Sequence, residues 1–111
     1  MHLTKKELEL MDILWNTGKS MTATEIIEAS KNRTWKEKSI FAMLRVLLNK
    51  GAITLADPKP TTTIHARAYK VAVTPEEYSA LYIEDMRQSR KLDKGMDMDV
   101  LIEHIKKLLE S

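Results

Sequence analysis

Three times in its first 37 residues the chain places a glutamate three positions after a threonine: Thr4 and Glu7, Thr22 and Glu25, Thr34 and Glu37. In this capping pattern each side chain accepts a hydrogen bond from the other residue's free backbone N–H, so each pair marks a helix start. Gly18 and Gly51 offer the left-handed residue that closes many helices. The punctuation predicts helices over about 4–18, 22–30 and 35–50, none of them long.

Each helix has a side to bury. Leu8, Met11 and Trp15 lie on a broad apolar face of the first, and Ala23, Ile26 and Ile27 form a short stripe on the second. On the third, Ile40, Leu44, Leu47 and Leu48 share one stripe, while Lys38, Phe41, Ala42, Arg45 and Asn49 fall on the other side. A solvated surface helix mixes both signs of charge. Residues 31–50 instead hold six basic side chains against a single acid, Glu37. An exposed Phe41 among them has the character of a contact residue.

After Gly51 the period changes. Residues 52–56 and 64–73 are β-branched or alternating runs, and between them DPKPTTT carries two prolines that can continue neither a helix nor a central strand. This predicts a two-stranded hairpin with Lys59, Arg67 and Lys70 near its tip and second strand. Three helices before any strand, then a hairpin, is the layout of a winged helix-turn-helix, in which the third helix enters the DNA major groove. The expected fold class is therefore mainly α with a small β-hairpin.

Thr74-Pro75-Glu76-Glu77 opens a further helix: the threonine caps, proline suits the first helical position, and the acids favour the positive end of the dipole. Tyr78, Leu81, Tyr82 and Met86 form its apolar stripe. Beyond the polar link RKLDKG, a fifth helix over about 98–110 presents Leu101, Ile105, Leu108 and Leu109, with Ile102 beside them. These stripes either fold back on the first part of the chain or pair with those of a second copy. Pairing is favoured, because the first part buries its own stripes and a palindromic reader needs two copies. The expected division is a winged helix over 1–73 and a helical dimerisation region over 74–111. Charge follows it: residues 1–70 hold 12 basic and 7 acidic side chains, whereas 71–111 hold 6 basic and 9 acidic.

Composition excludes several alternatives. There are no cysteines, so disulfides, iron–sulfur clusters and thiolate metal sites are out of reach. His2, His65 and His104 stand in three different predicted elements with no ligand spacing, and Asp97, Asp99 and Glu103 beside His104 read as helix-start acids rather than ligands. There is no glycine-rich phosphate loop and no nucleophile elbow, so neither enzyme chemistry nor a cofactor is expected. The seven methionines read as adaptable filler. Aromatic residues, at 5%, are too sparse for single-strand stacking platforms, which leaves duplex DNA. The N-terminal residues carry no apolar targeting segment and no stretch suits a membrane span, so the expected location is the cytoplasm.

Four segments in order, ELELMDILW at 7–15, TATEIIEA at 22–29, WKEKSIFAMLRVLLNKGAI at 35–53 and YKVAVTPEEY at 69–78, resemble the penicillinase-repressor family. That family comprises β-lactamase and methicillin-resistance repressors with their copper-responsive relatives. The resemblance implies a homodimeric bacterial repressor whose winged helix binds an inverted repeat in double-stranded DNA and whose C-terminal helices form the dimer. Relatives often carry Thr-x-x-Thr on the outward side of the third helix and an arginine four residues on. Here those positions hold Ser39, Ala42 and Val46, and Arg45 stands one place earlier. The expected base-reading set is Lys38, Ser39, Phe41, Ala42 and Arg45, with Lys36, Lys50, Lys59 and Arg67 on phosphates and Tyr78, Leu81, Tyr82, Met86, Leu101, Ile105, Leu108 and Leu109 in the dimer interface.

The resemblance also implies a signalling protease as a partner, since antibiotic-responsive relatives are cut at an Asn-Phe bond in the C-terminal half. This chain has no Asn-Phe pair, and its only phenylalanine is Phe41. Either another bond is cut, with the RKLDKG link a candidate, or induction uses another signal. The cysteine-rich tail of the copper-responsive members is missing. The competing reading is a winged helix used as a protein-interaction module, docking an acidic or apolar partner through the Phe41 face.

Overall fold

The first two helices start as their punctuation requires. In α1 (Lys5–Thr17) the Thr4 hydroxyl accepts from the Glu7 N–H at 3.2 Å while the Glu7 carboxylate accepts from the Thr4 N–H at 2.9 Å. Thr22 and Glu25 repeat the exchange at α2 (Ala23–Ala29). The structure, a computed structural model, describes residues 1–56, 67–90 and 97–110.

The third helix departs from expectation. Thr34 does not cap it: its N–H and hydroxyl both donate to the Glu9 carboxylate of α1, at 3.1 and 2.9 Å. Trp35 is buried, and Lys36 is extended (φ −83°, ψ 144°), so the backbone cannot enter a helix until that ring is seated. A 3₁₀ turn over Glu37–Ser39 then leads into α3 (Ile40–Lys50). Its end is as expected. Gly51 adopts a left-handed φ of 80° and directs its N–H at the Leu47 and Leu48 carbonyls, a conformation that favours glycine.

The sheet has one more strand than the hairpin. The two-residue β1 (Met21–Thr22) precedes α2, so the expectation that no strand comes before the third helix is corrected. With β2 (Ile53–Ala56) and β3 (Ala68–Val71) it makes an antiparallel sheet in the order β1-β3-β2. Tyr69 sits at its centre, opposite Met21 on one side and Leu55 on the other. Two residues are too few to show a period, and Thr22 serves both the strand and the cap of α2. Residues 57–63 of the expected hairpin tip lie outside the described residues, as do residues 64–66 of its second strand.

α4 (Pro75–Arg90) opens with a further reciprocal pair, Thr74 and Glu77. α5 (Met98–Glu110) opens on Asp97, whose carboxylate accepts from the Asp99 and Val100 N–H groups. This is the helix-start role expected of that acid.

One core joins the elements up to the start of α4. It contains Leu3, Leu10, Met11 and Leu14 from the first helix region, Ile26 from α2, Ile40, Leu44 and Leu47 from α3, Ile53 and Tyr69 from the sheet, and Tyr78 from α4. The face of α1 is centred on Leu10, Met11 and Leu14, with Leu8 and Trp15 half-buried at its edges, so the expected stripe was offset. Trp15 fastens α1 to the later elements, its indole N–H donating to the Val73 carbonyl at 2.9 Å and its ring lying 6.1 Å from that of Tyr78.

Glu7 is the exception among these buried residues, a carboxylate 7% exposed. Its charge is matched by the Lys50 ammonium at 2.6 Å, and Lys50 also donates to the His2 carbonyl at 3.0 Å. Burial pushes the Glu7 carboxyl up, but the bonds from Lys50 and the Thr4 N–H, with the Lys50 charge, outweigh it and hold the group below its ordinary value of 4.5. A carboxyl lowered on folding contributes stability that is full above its unfolded value and lost as pH falls through the folded one. Glu7→Gln, which can still cap α1, is expected to cost about 1–2 kcal/mol at neutral pH. The difference from wild type should shrink as pH falls below 4.5, read from urea unfolding over a pH series.

Candidate nucleic-acid interface

The link between α2 and α3 is held by Arg33. Its guanidinium donates to the Ser30 carbonyl at 3.1 Å and the Ile27 carbonyl at 3.5 Å, and lies 5.3 Å from the centre of the Trp35 ring. The carbonyls that end α2 therefore have a cationic partner, and the same cation covers a buried aromatic. A turn clamped at both ends fixes the angle between the two helices. With Ile40, Leu44 and Leu47 buried in the core, the opposite side of α3 faces outward.

That outward side matches the sequence reading in large part. Lys36, Lys38, Ala42 and Arg45 are exposed, and among the described residues none of the three cations forms an ion pair or side-chain hydrogen bond. Ser39 is half-buried and makes no capping bond. Phe41, read as exposed, is half-buried and packed against the core cluster, so it offers an edge rather than a free ring. Val46 takes more of the exposure, at 40%.

Two of the residues assigned from sequence are engaged within the chain. Lys50, expected on a phosphate, has its ammonium bound by Glu7 and the His2 carbonyl. Tyr78 is buried against Trp15 rather than displayed on the arm. Arg67 and Lys70 are exposed at the start of β3 and within it. Lys59 and most of the RKLDKG link lie outside the described residues, as does His65.

The remaining arm residues stay uncovered or partly so. Leu81 and Tyr82 are 40% and 44% exposed, Tyr82 stacking on His2 with ring centres 6.2 Å apart, and Met86 is half-buried. No residue of α5 is buried: Leu101 is half-exposed and Ile105 is 38% exposed, while Leu108 and Leu109 stand out at 76% and 81%.

Sequence reasoning missed two residues beside the outward face of α3. Glu37, assigned to a cap, is released from that role by Glu9, and Thr24 in the first turn of α2 lines the same cleft as Glu37, Lys38 and Phe41. Thr24 has no sequence signal, because its place depends on how α2 meets α3, whereas Glu37 is marked as the single acid among residues 31–50. Among the described residues no three or more His, Asp and Glu side chains gather to hold a metal, and no helix is long and apolar enough to cross a membrane.

The backbone is similar to that of ferric uptake regulators. The Francisella tularensis protein matches with a TM-score of 0.51 at 12% identity, over 65% of this chain and 54% of that one. The Helicobacter pylori protein matches with a TM-score of 0.50 at 16% identity, over 84% and 71%. At such identities the likeness shows the fold alone: the helices and the small three-stranded sheet are those of a winged helix. Sequence carries the assignment further. The model of the penicillinase repressor family matches residues 3–91, and the chain belongs to that family, whose members are transcription regulators rather than enzymes. The penicillinase repressor of Bacillus licheniformis is 39% identical over 51 residues, a segment that is 46% of this chain and 40% of that protein.

Proposed function

We propose that the chain is a transcriptional repressor that binds an inverted-repeat DNA operator as a homodimer, with α3 in the major groove and the wing on the backbone. The observation that carries this reading is the two-sidedness of α3: one face is sealed in the core, and the other displays Ala42 and Arg45, with Lys38 in the turn before it, the two cations having no ion-pair partner among the described residues. In this reading Lys38, Ser39, Ala42 and Arg45 meet base edges, with the edge of Phe41 on a thymine methyl, and Lys36 and Arg67 meet phosphates. Residues 1–73, closed by Tyr78 at the start of α4, form the reading unit, and the remainder of 74–111 the pairing unit. Leu81, Tyr82, Met86 and the α5 stripe make the two-fold interface, and the whole acts in the cytoplasm. A signalling protease that cuts the C-terminal half remains the proposed route of induction.

The docking-module alternative loses support because Phe41 packs on its own core. The test is selection of bound duplexes from a random pool. Enrichment of an inverted repeat, with half-sites about one helical turn apart or a multiple of it, supports the repressor. An unenriched pool whose binding still falls with salt overturns it, leaving only non-specific charge attraction.

Two substitutions separate reading from pairing. Arg45→Ala is expected to weaken operator binding by roughly 5-fold to 150-fold in a gel-shift titration, as for loss of one base contact, while light scattering still reports a dimer. Ile105→Glu is expected to give a folded monomer with weak operator binding, because a charge interrupts the apolar stripe of α5. A dimeric Ile105→Glu variant would remove α5 from the interface.

A further inference from the structure

The acid Glu37 stands just before α3, beside its outward face. It is the only acidic residue among residues 31–50, where every other charged side chain is basic. The cap it was positioned to complete is not formed, since Glu9 takes both Thr34 donors. Among the described residues its one ionic neighbour is Arg33, whose Nη2 lies 3.7 Å away while Nη1 donates to two carbonyls and the guanidinium covers the Trp35 ring. The side chain remains 68% exposed. It stands at the first position of the 3₁₀ turn that leads into α3, four residues before Phe41 and eight before Arg45, and it lines the cleft between α2 and α3 with Thr24, Lys38 and Phe41.

A carboxylate at that place repels phosphates, so it lowers affinity for DNA in general. It gains only where a hydrogen-bond donor faces it, and the donors presented by the major groove are the exocyclic amino groups of bases. Cytosine N4 is the partner a carboxylate accepts from, whereas a guanine edge offers it acceptors alone. Because N-terminal residues of a reading helix approach base edges most closely, Glu37 is placed for this contact. Resting on the operator-binding reading above, we infer that Glu37 is a specificity-determining residue that selects a cytosine at one position of each half-site and disfavours non-operator DNA.

The simpler role for an acid here is to favour the positive end of α3, and that role affects stability without reading sequence. The full chain and its Glu37→Gln and Glu37→Ala variants are each used to select duplexes from a random pool, titrated against unrelated duplex, and melted. Glutamine pairs with adenine in the groove, so the selected cytosine is expected to become adenine in Glu37→Gln and to lose definition in Glu37→Ala. Discrimination at that base pair should fall by between about 5-fold and about 150-fold in Glu37→Ala, with tighter binding of unrelated duplex in both variants and little change in melting. The same selected sequence in all three proteins overturns the inference and leaves the operator reading standing. A wild-type pool with no enriched sequence overturns both.

Discussion

The anchoring of α3 by one face is the constraint on which the rest of the structure depends. Ile40, Leu44 and Leu47 are almost completely buried, and each such side chain contributes about 1.5–3 kcal/mol relative to exposure. A helix held so firmly along one line cannot roll, and its outward residues keep fixed directions. Both ends are held as well: Arg33 and Trp35 brace the approach, while Gly51 and the Lys50–Glu7 pair secure the exit. The basic face is thus displayed by burial elsewhere.

Electrostatics then sorts residues that sequence alone cannot separate. Lys38, Arg45 and Lys50 belong to one short basic run, yet Lys50 neutralises a buried carboxylate whereas the other two face solvent. Arg33 is likewise turned inward, onto backbone carbonyls and an indole. An internal partner makes a cation part of the scaffold, because displacing it would leave Glu7 buried and unpaired. Cations without such partners are the ones available to a polyanion.

The C-terminal helices divide along a similar line. Tyr78 closes the core over Trp15, so the beginning of α4 belongs physically to the winged helix. Farther on, Leu81 and Tyr82 emerge, and α5 exposes nearly all its apolar side chains. Exposed stripes of this size on a short chain are what a partner helix covers, which is why the proposed interface lies there rather than at Tyr78.

By itself the sequence determined the features that obey local rules. The reciprocal caps at Thr4 and Thr22, the cap at Thr74, the left-handed closure at Gly51, the inner stripe of α3 and the amphipathic α5 follow from contacts within a few residues, and all stand where the pattern puts them. Tertiary structure decided what depends on neighbours distant in sequence. Glu9 captured Thr34 across 25 positions and moved the start of α3, Tyr69 recruited a two-residue strand too short to show a period, and Glu7 claimed Lys50. A local pattern states which bonds a residue is able to make. Only the packed chain decides which partner reaches it first, and here that choice separates the cations of the scaffold from those left facing solvent.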